Sequence, residues 1–326
     1  MMPGRSQAAA LLALALALPV ASRAQDYPTH AVTIVVAFAP GASSDFVART
    51  FGARLAERLG KPFIVENKPG AGSVIAAAAV AKALPDGHTM LIAPSGTLTI
   101  NPTLYRNLPY DPIKDFAFVA HTANFPLVLV VNPALPVRSV ADLIQLAKAK
   151  PGELTFASSG AGTSIHLTGE LFKTMAGIEI THVPYKGPSP ALSDIIAGHV
   201  QMIFADPGSA VPLVRDGKVR ALGVSSAARF DALPDVPTIA EAGVPGFEAA
   251  SWHMIVTPAG TPDPIVSKLR DEFRLLVALP EVQQQFRNLG LVPVISPGAE
   301  ELRAFVTEQT VRWGKIVRQA GLAGSE

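Results

Sequence analysis

No cysteine occurs anywhere in the 326-residue chain. That absence excludes disulfides, thiolate metal centres, a cysteine nucleophile and a lipid anchor on cysteine. A chain of this length buries enough core to do without disulfides, so an oxidising compartment stays open to it. Charge is scarce too: Asp, Glu, Lys and Arg make up 16% of residues, and the formal net charge is +1. Without a run of Lys or Arg there is no electrostatic footprint for nucleic acid or an anionic membrane surface. Long apolar runs are also missing. Ala8–Val20 is rich in Ala and Leu but counts 13 residues, short of the about 20 that a membrane-spanning helix needs.

That run fits the middle of a secretory signal peptide. Arg5 is the one charge ahead of it, and Ser22-Arg23-Ala24 supplies small residues at the −3 and −1 positions of a cleavage site. The expectation is a signal peptide over 1–24, a mature chain starting at Gln25 and a periplasmic destination. Losing Arg5 and Arg23 leaves 25 basic against 26 acidic residues. Apolar residues make up 49% of the chain, which suits a large core. About 300 residues exceed what one core usually fills, so two lobes are expected.

Short β-type runs alternate with helical patterns, which predicts α/β lobes with mainly parallel sheets. Val32–Phe38 is a strand run ended by Ala39-Pro40-Gly41. Asp45–Leu59 follows, with Val47, Ala48, Phe51 and Leu55 at helical spacing. A second series runs from the strand Leu154–Ser158 through the helix Thr163–Ala176 to the strand Arg220–Ser225. Residues 229–247 read as irregular, and the C-terminus as three helices. The apolar strands Phe125–Val131 and Ser251–Val256 are expected to carry the chain between lobes. Lobe 1 would then hold 25–124 plus 247–326, and lobe 2 would hold 125–246.

Two strand–glycine–hydroxyl–helix junctions stand out: Pro40-Gly41-Ala42-Ser43-Ser44-Asp45 and Ser158-Ser159-Gly160-Ala161-Gly162-Thr163-Ser164. Helix starts attract anions because their free N–H groups and the helix dipole point the same way. Open α/β sheets place ligands at the carboxyl ends of their strands. Ordinary capping explains either junction alone, but one in each lobe suits a cleft that grips a carboxylate from both sides. Other chemistry finds less support. His166 and Glu170 sit four apart on a helix, yet no HExxH pattern or third ligand accompanies them, so no metal is expected. Ser158 and Ser159 near His166 suggest a hydrolase, but a G-x-S-x-G elbow is missing, and no catalytic residue is assigned. Asp45 suits the first turn of a helix by its charge alone. Lys186 reads as a solvated loop lysine, and Trp252 and His253 as hinge packing.

The stretches YPTHAVTIVVAFAPGASSDFVART, VENKPGAGSVIAAAAVAKALPDGHTMLIAPSGTLTINPTLY, LTFASSGAGTSIHLTGELFKTMAGIEITHVPYKGPSPALSDIIAGHVQMIFAD and ALPDVPTIAEAG resemble, in order, the Bug-type receptors of tripartite tricarboxylate transporters. The resemblance covers nearly everything after Gln25. It implies a type II periplasmic-binding-protein fold whose two α/β lobes close on a small carboxylate (a di- or tricarboxylate, an amino acid or an aromatic acid), with no cofactor. The partners it implies are that carboxylate and the membrane permease subunits, and a monomer is expected. Carried over by position, the first-lobe contacts are Pro40, Gly41, Ala42, Ser43 and Asp45, with Ser95 and Thr97. Those of the second lobe are Ser159, Gly160, Gly162, Thr163, Ser164 and His166, with Tyr185 and Asp206 facing the cleft. Asp206 either selects an amino group on the ligand or caps the following turn. Where the family more often reads Pro-Gly-Gly, this chain has Ala42, and alanine resists the positive φ that glycine allows. A sensor built on the same binding module, or a periplasmic hydrolase, are the alternatives.

Overall fold

A computed structural model describes residues 27–326, so the signal peptide expected over 1–24 lies outside the described residues. Among the described residues, no helix is long and apolar enough to cross a membrane.

The Val- and Ile-rich run β1 (Val32–Val36) pairs in parallel with β2 (Phe63–Asn67) and β3 (Thr89–Pro94). β4 (Phe116–Pro126) lies beyond, and β10 (Ala250–Pro258) is inserted antiparallel between β3 and β4. The short edge β11 (Val292–Pro293) completes a six-stranded sheet in the order β11-β4-β10-β3-β1-β2. The second sheet has the order β7-β6-β8-β5-β9, from β5 (Val128–Val131), β6 (Thr155–Ser158), β7 (Thr181–Pro184), β8 (Met202–Ala205) and β9 (Arg220–Val224). β6 is parallel to β7 and β8, while β5 runs antiparallel to β8 and β9. The chain thus forms two α/β lobes, each with a mixed sheet rather than a purely parallel one. Three strands cause the difference: β5 and β10, each the first laid down after a passage between sheets, and the short edge strand β11, antiparallel to β4.

Helices α1 (Ser43–Leu59), α2 (Val74–Ala81), α3 (Ser95–Thr99), α4 (Asn101–Leu104), α9 (Asp263–Ala278), α10 (Pro280–Asn288) and α11 (Ala299–Gln319) cover the first sheet, whereas α5 (Val140–Ala149), α6 (Ser164–Ala176), α7 (Pro188–Ala197) and α8 (Pro207–Arg215) cover the second. The apolar positions that predicted α1 are its buried face: Val47, Phe51 and Leu55 are each 0% exposed. Phe51 meets Phe273 of α9 edge-on at 5.1 Å and Phe286 of α10 at 5.6 Å. Such aromatic pairs add about 0.5–1.5 kcal/mol each beyond the area they bury. In the second lobe Phe172, Phe204 and Phe247 form the corresponding cluster.

The passages between lobes differ from expectation in detail. Phe125–Val131 is not one strand, because Phe125 and Pro126 still pair with Ser251 and Ala250 in the first sheet, and the chain changes sheet at Leu127. Ser251–Val256 lies wholly within the first sheet as part of β10. The return passage is the irregular stretch 225–249, tied down by the Ser225–Ala249 backbone hydrogen bond and a Val224–Thr238 bridge. The short helices α3 and α4 gave no periodic signal, being 5 and 4 residues long.

Gly169 of α6 shows how closely helix and sheet approach. A Cβ there would stand 2.3 Å from the Phe156 ring. Helix propensity favours alanine over glycine by about 1 kcal/mol, whereas overpacking costs about 1–3 kcal/mol. Gly169→Ala is therefore expected to destabilise the protein in urea titrations. A gain in stability would show that the Phe156 ring yields easily.

Candidate functional site: an interlobe cleft

Where the two lobes face each other, residues of both enclose a cavity of about 30 Å³. Water needs about 10–15 Å³ per molecule by the same measure. The space holds about two or three waters and no organic acid, so a ligand enters only if the lobes part. Its wall combines polar groups (Ser43, Ser44, Thr97, Ser159, Thr163, Ser164 and Asp206 among them) with apolar ones, notably Phe38, Phe125, Leu127 and Ile165. Among the described residues, no lysine or arginine lines it.

The first turn of α1 enters from the first lobe and the first turn of α6 from the second. Helix starts leave their leading N–H groups without intrahelical acceptors. At α1, Asp45 and Phe46 donate back to the Ala42 carbonyl, while Ser43 and Ser44 find no acceptor among the described residues. At α6, the Thr163 hydroxyl accepts from the His166 N–H at 3.3 Å, while Ser164 and Ile165 find none among the described residues. The hydroxyls of Ser44 and Ser159 are buried without any partner. Buried polar atoms are seldom left so, because each costs about 1–3 kcal/mol of desolvation. One such hydroxyl from each lobe lines this cavity.

The expected site residues fall into two groups. Ala42, Ser43, Thr97, Ser159, Thr163, Ser164 and Asp206 line the cavity. The others stand behind it and shape it. The Pro40 carbonyl accepts from Ser189 at 3.3 Å and the Gly41 carbonyl from Ser209 at 3.2 Å, both bonds crossing between lobes. Gly41 adopts φ +91°, which requires glycine. Ala42 is extended at φ −75°, so alanine avoids the positive φ that it resists and introduces no strain. Ser95 bonds Ser251, which in turn accepts from Ser164 at 3.0 Å. The Gly160 carbonyl accepts from the Thr163 hydroxyl at 2.7 Å.

Asp45 faces away, accepting from Arg49, Asn67 and the Gly41 N–H. Burial pushes its carboxyl up, but those bonds and the Arg49 charge outweigh it and hold it below the usual range. Tyr185 also faces away, donating to Asp194 at 2.6 Å. His166 is buried one layer back and stacks on His182 at 3.9 Å. Burial first, then His182 and Lys173, lowers its pKa to about 3. Asp206 lines the cavity and also caps α8, accepting from the Ser209 N–H at 3.3 Å and its hydroxyl at 3.1 Å. Two N–H groups of the second junction are engaged: Thr163 donates to the Gly160 carbonyl and Gly162 to His166. Those without an acceptor among the described residues are the next two along the chain, Ser164 and Ile165.

Several cavity residues escaped sequence reasoning, among them Ser73, Gly96, Ser251 and His253. His253 in particular lies in the cavity wall, not at a hinge. It sits mid-strand in an apolar run, where nothing in the sequence distinguishes a cleft-facing histidine from a packed one.

Catalytic and metal chemistry can be checked against the same geometry. Ser158 bonds His182 at 2.6 Å, and neither lines the cavity. His166 stands 3.9 Å from Glu170. Among the described residues, one group could gather around an ion, His30 with Asp86 and His88, remote from the cleft. Its two imidazoles stack 3.7 Å apart at 4°, so their in-plane lone pairs run parallel and the rings must turn to converge on a metal.

The model of the tripartite tricarboxylate transporter family receptor matches residues 47–322. The chain belongs to that receptor family. Among its relatives, a protein encoded in the tcbD-tcbE intergenic region of Pseudomonas sp. (strain P51) is 40% identical over 318 residues, covering 96% of this chain and 94% of the relative. BugT of Bordetella pertussis (strain Tohama I) is 36% identical, covering 94% and 93%. Of solved structures, an R. palustris protein with adipate superposes with TM-score 0.87 at 41% identity, covering 91% of this chain and 99% of that one. MatC from Rhodopseudomonas palustris with bound malate gives 0.83 at 34%, covering 89% and 100%. The fold is therefore that of the periplasmic binding proteins of this receptor family, as the sequence resemblance implied.

The lobes of this receptor touch through backbone. A Cβ on Gly72 would stand 1.8 Å from the Ala161 carbonyl oxygen, and one on Gly96 would stand 2.5 Å from that of Gly162. Gly72→Ala is expected to leave both lobes folded by far-ultraviolet circular dichroism while giving a larger radius of gyration by small-angle scattering. An unchanged radius would show that the seam does not control closure.

Proposed function

We propose that the chain is a periplasmic receptor that closes two lobes on a small dicarboxylate and delivers it to the membrane permease subunits of a tripartite tricarboxylate transporter. It catalyses no reaction and acts as a monomer. A two-lobe division with its crossings at Leu127 and within 225–249, and export by the leader at 1–24, are part of the same proposal. One observation carries it: unpartnered N–H groups at two helix starts and two orphaned hydroxyls face a single cavity from opposite lobes. Backbone N–H groups and helix dipoles suit a carboxylate. Two such ends, with Phe38, Phe125 and Ile165 between the polar groups of the wall, suit an acid charged at both ends of a hydrocarbon body. Relatives bound to adipate and malate point the same way.

Refolded protein should be stabilised by adipate or malate in a thermal-shift assay, since a ligand that binds only the folded form adds about 2.7 kcal/mol at a hundredfold excess over its Kd. Absence of a shift across linear and hydroxylated dicarboxylates would overturn the reading.

The helix-start mechanism has its own test at Ser164. Ser164→Ala deletes a hydroxyl and should cost about 0.5–2 kcal/mol of binding. Ser164→Pro deletes the N–H as well. Proline is tolerated at the first helical position, and the preceding Thr163 already has the extended φ −81°, ψ 157° that a residue before proline adopts. Ser164→Pro should therefore fold yet bind at least about tenfold more weakly than Ser164→Ala, a gap of about 1.4 kcal/mol. Equal affinities by calorimetry would exclude the Ser164 N–H.

A further inference from the structure

His253 is a buried imidazole that nothing in the fold uses. It sits in β10, 2% exposed, in the wall of the cleft. Its Nε2 approaches only the Ser43 hydroxyl, at 3.5 Å, and its Nδ1 is buried without a partner. The Phe125 ring lies 4.7 Å away. The titratable groups facing it are few. His121 lies on β4, and β3 brings Pro94 beside it in the ladder. Beyond Ser43, Asp206 lies at the start of α8 and also draws on the Ser43 hydroxyl. Burial first, then His121, lowers the His253 pKa to about 3, so the ring is neutral near pH 7.

The charge balance of the cleft makes this residue informative. The wall holds one acid, Asp206, and no Lys or Arg. A dicarboxylate adds two negative charges to that space. Helix starts supply only about half a unit of positive charge each. Asp206 is the competing place for a compensating proton: burial raises its pKa and outweighs the bonds that Ser209, Ser43 and the Gly208 N–H donate to its oxygens, though those bonds already occupy the carboxylate. The His253 Nδ1 has no partner among the described residues, and its Nε2 stands beside Ser43 in the first turn of α1, where the proposed carboxylate would sit.

We infer that His253 is the proton-accepting residue of the cleft, so that a carboxylate bound at the start of α1 enters together with one proton taken up by this imidazole. The proton comes from solvent, and the ring becomes the cation that the wall otherwise lacks. Specificity follows, because a fully ionised dicarboxylate benefits from the imidazolium and a neutral analogue does not. The inference rests on the dicarboxylate reading of the cleft.

An adjacent opposite charge moves a pKa by about 1–3 units, which takes His253 from about 3 to about 6 in the complex at the upper end of that range. Calorimetry of adipate, with malate as second probe, at pH 6.0 in buffers of different protonation enthalpy reads net proton uptake. Wild type is expected to take up about half a proton more per ligand than His253→Gln. Its affinity should rise about tenfold from pH 7.5 to pH 5.0, relative to the same ratio for His253→Gln, which removes the ligand's own titration from the comparison. Binding with equal uptake in the two proteins overturns the inference and leaves the receptor reading intact. Uptake that persists in His253→Gln but disappears in Asp206→Asn assigns the proton to Asp206 and overturns it as well. Failure of both acids to bind sinks the cleft reading and this inference with it. Should His253→Gln not fold, the nitrogen-15 shifts of the wild-type ring with and without adipate read the same proton directly. A ring that stays neutral in the complex at pH 5.0 is the contrary result.

Discussion

The proposed carboxylate would lie in a cavity that no lysine or arginine of the described residues lines, so its charge would have to be met by something else. Backbone N–H groups are numerous but almost always engaged, and a helix start is one of the few places that leaves several free together. One such start at the carboxyl end of β1 and another at that of β6 give each lobe half of the proposed anion site. Neither half encloses a ligand alone. The serine hydroxyls around them have the same character: Ser44 and Ser159 are buried yet have no hydrogen-bond partner among the described residues. The cleft thus stores unsatisfied polar groups on both sides of a seam that can open.

Closure also requires that the lobes touch without side chains intervening. Gly72 and Gly96 of the first lobe meet Ala161 and Gly162 of the second at distances that exclude even a methyl group. Hydroxyl-to-carbonyl bonds from Ser189 to Pro40 and from Ser209 to Gly41 tie the same faces together. Bonds of this kind contribute about 0.5–1.5 kcal/mol each, small enough that a ligand making several contacts of similar size can shift the balance between open and closed forms. The Ile100, Leu104, Leu167, Trp313 and Val317 cluster, which joins α4 and α11 to α6, adds an apolar contact to the seam.

Much of this was legible in the sequence because it rests on local signals. The periodic apolar positions of α1, the Gly-rich junctions and the βαβ alternation each report on a few consecutive residues, and the structure places them as they read. What could not be read were relations between distant segments. His253 lines the cleft because β10 is inserted beside β3, about 160 residues earlier in the chain. Asp45 and Tyr185 were placed in the site by position within a motif, yet Arg49 and Asp194 turn them away. Nor does the junction motif at α6 reveal which N–H groups stay free, because Thr163 spends its own on the turn that precedes the helix.

The insertion of β10 has a consequence for how the molecule is assembled. The first lobe cannot complete its sheet from its own N-terminal segment, since the space between β3 and β4 is filled by residues 250–258. A growing chain therefore emerges with that sheet gapped, and the whole second lobe is made before the missing strand arrives. Long-range pairing of this kind folds slowly, and a nascent chain with an open sheet carries exposed strand edges for as long as synthesis lasts. The topology itself keeps the first lobe from locking into its native form before residues 250–258 have been made.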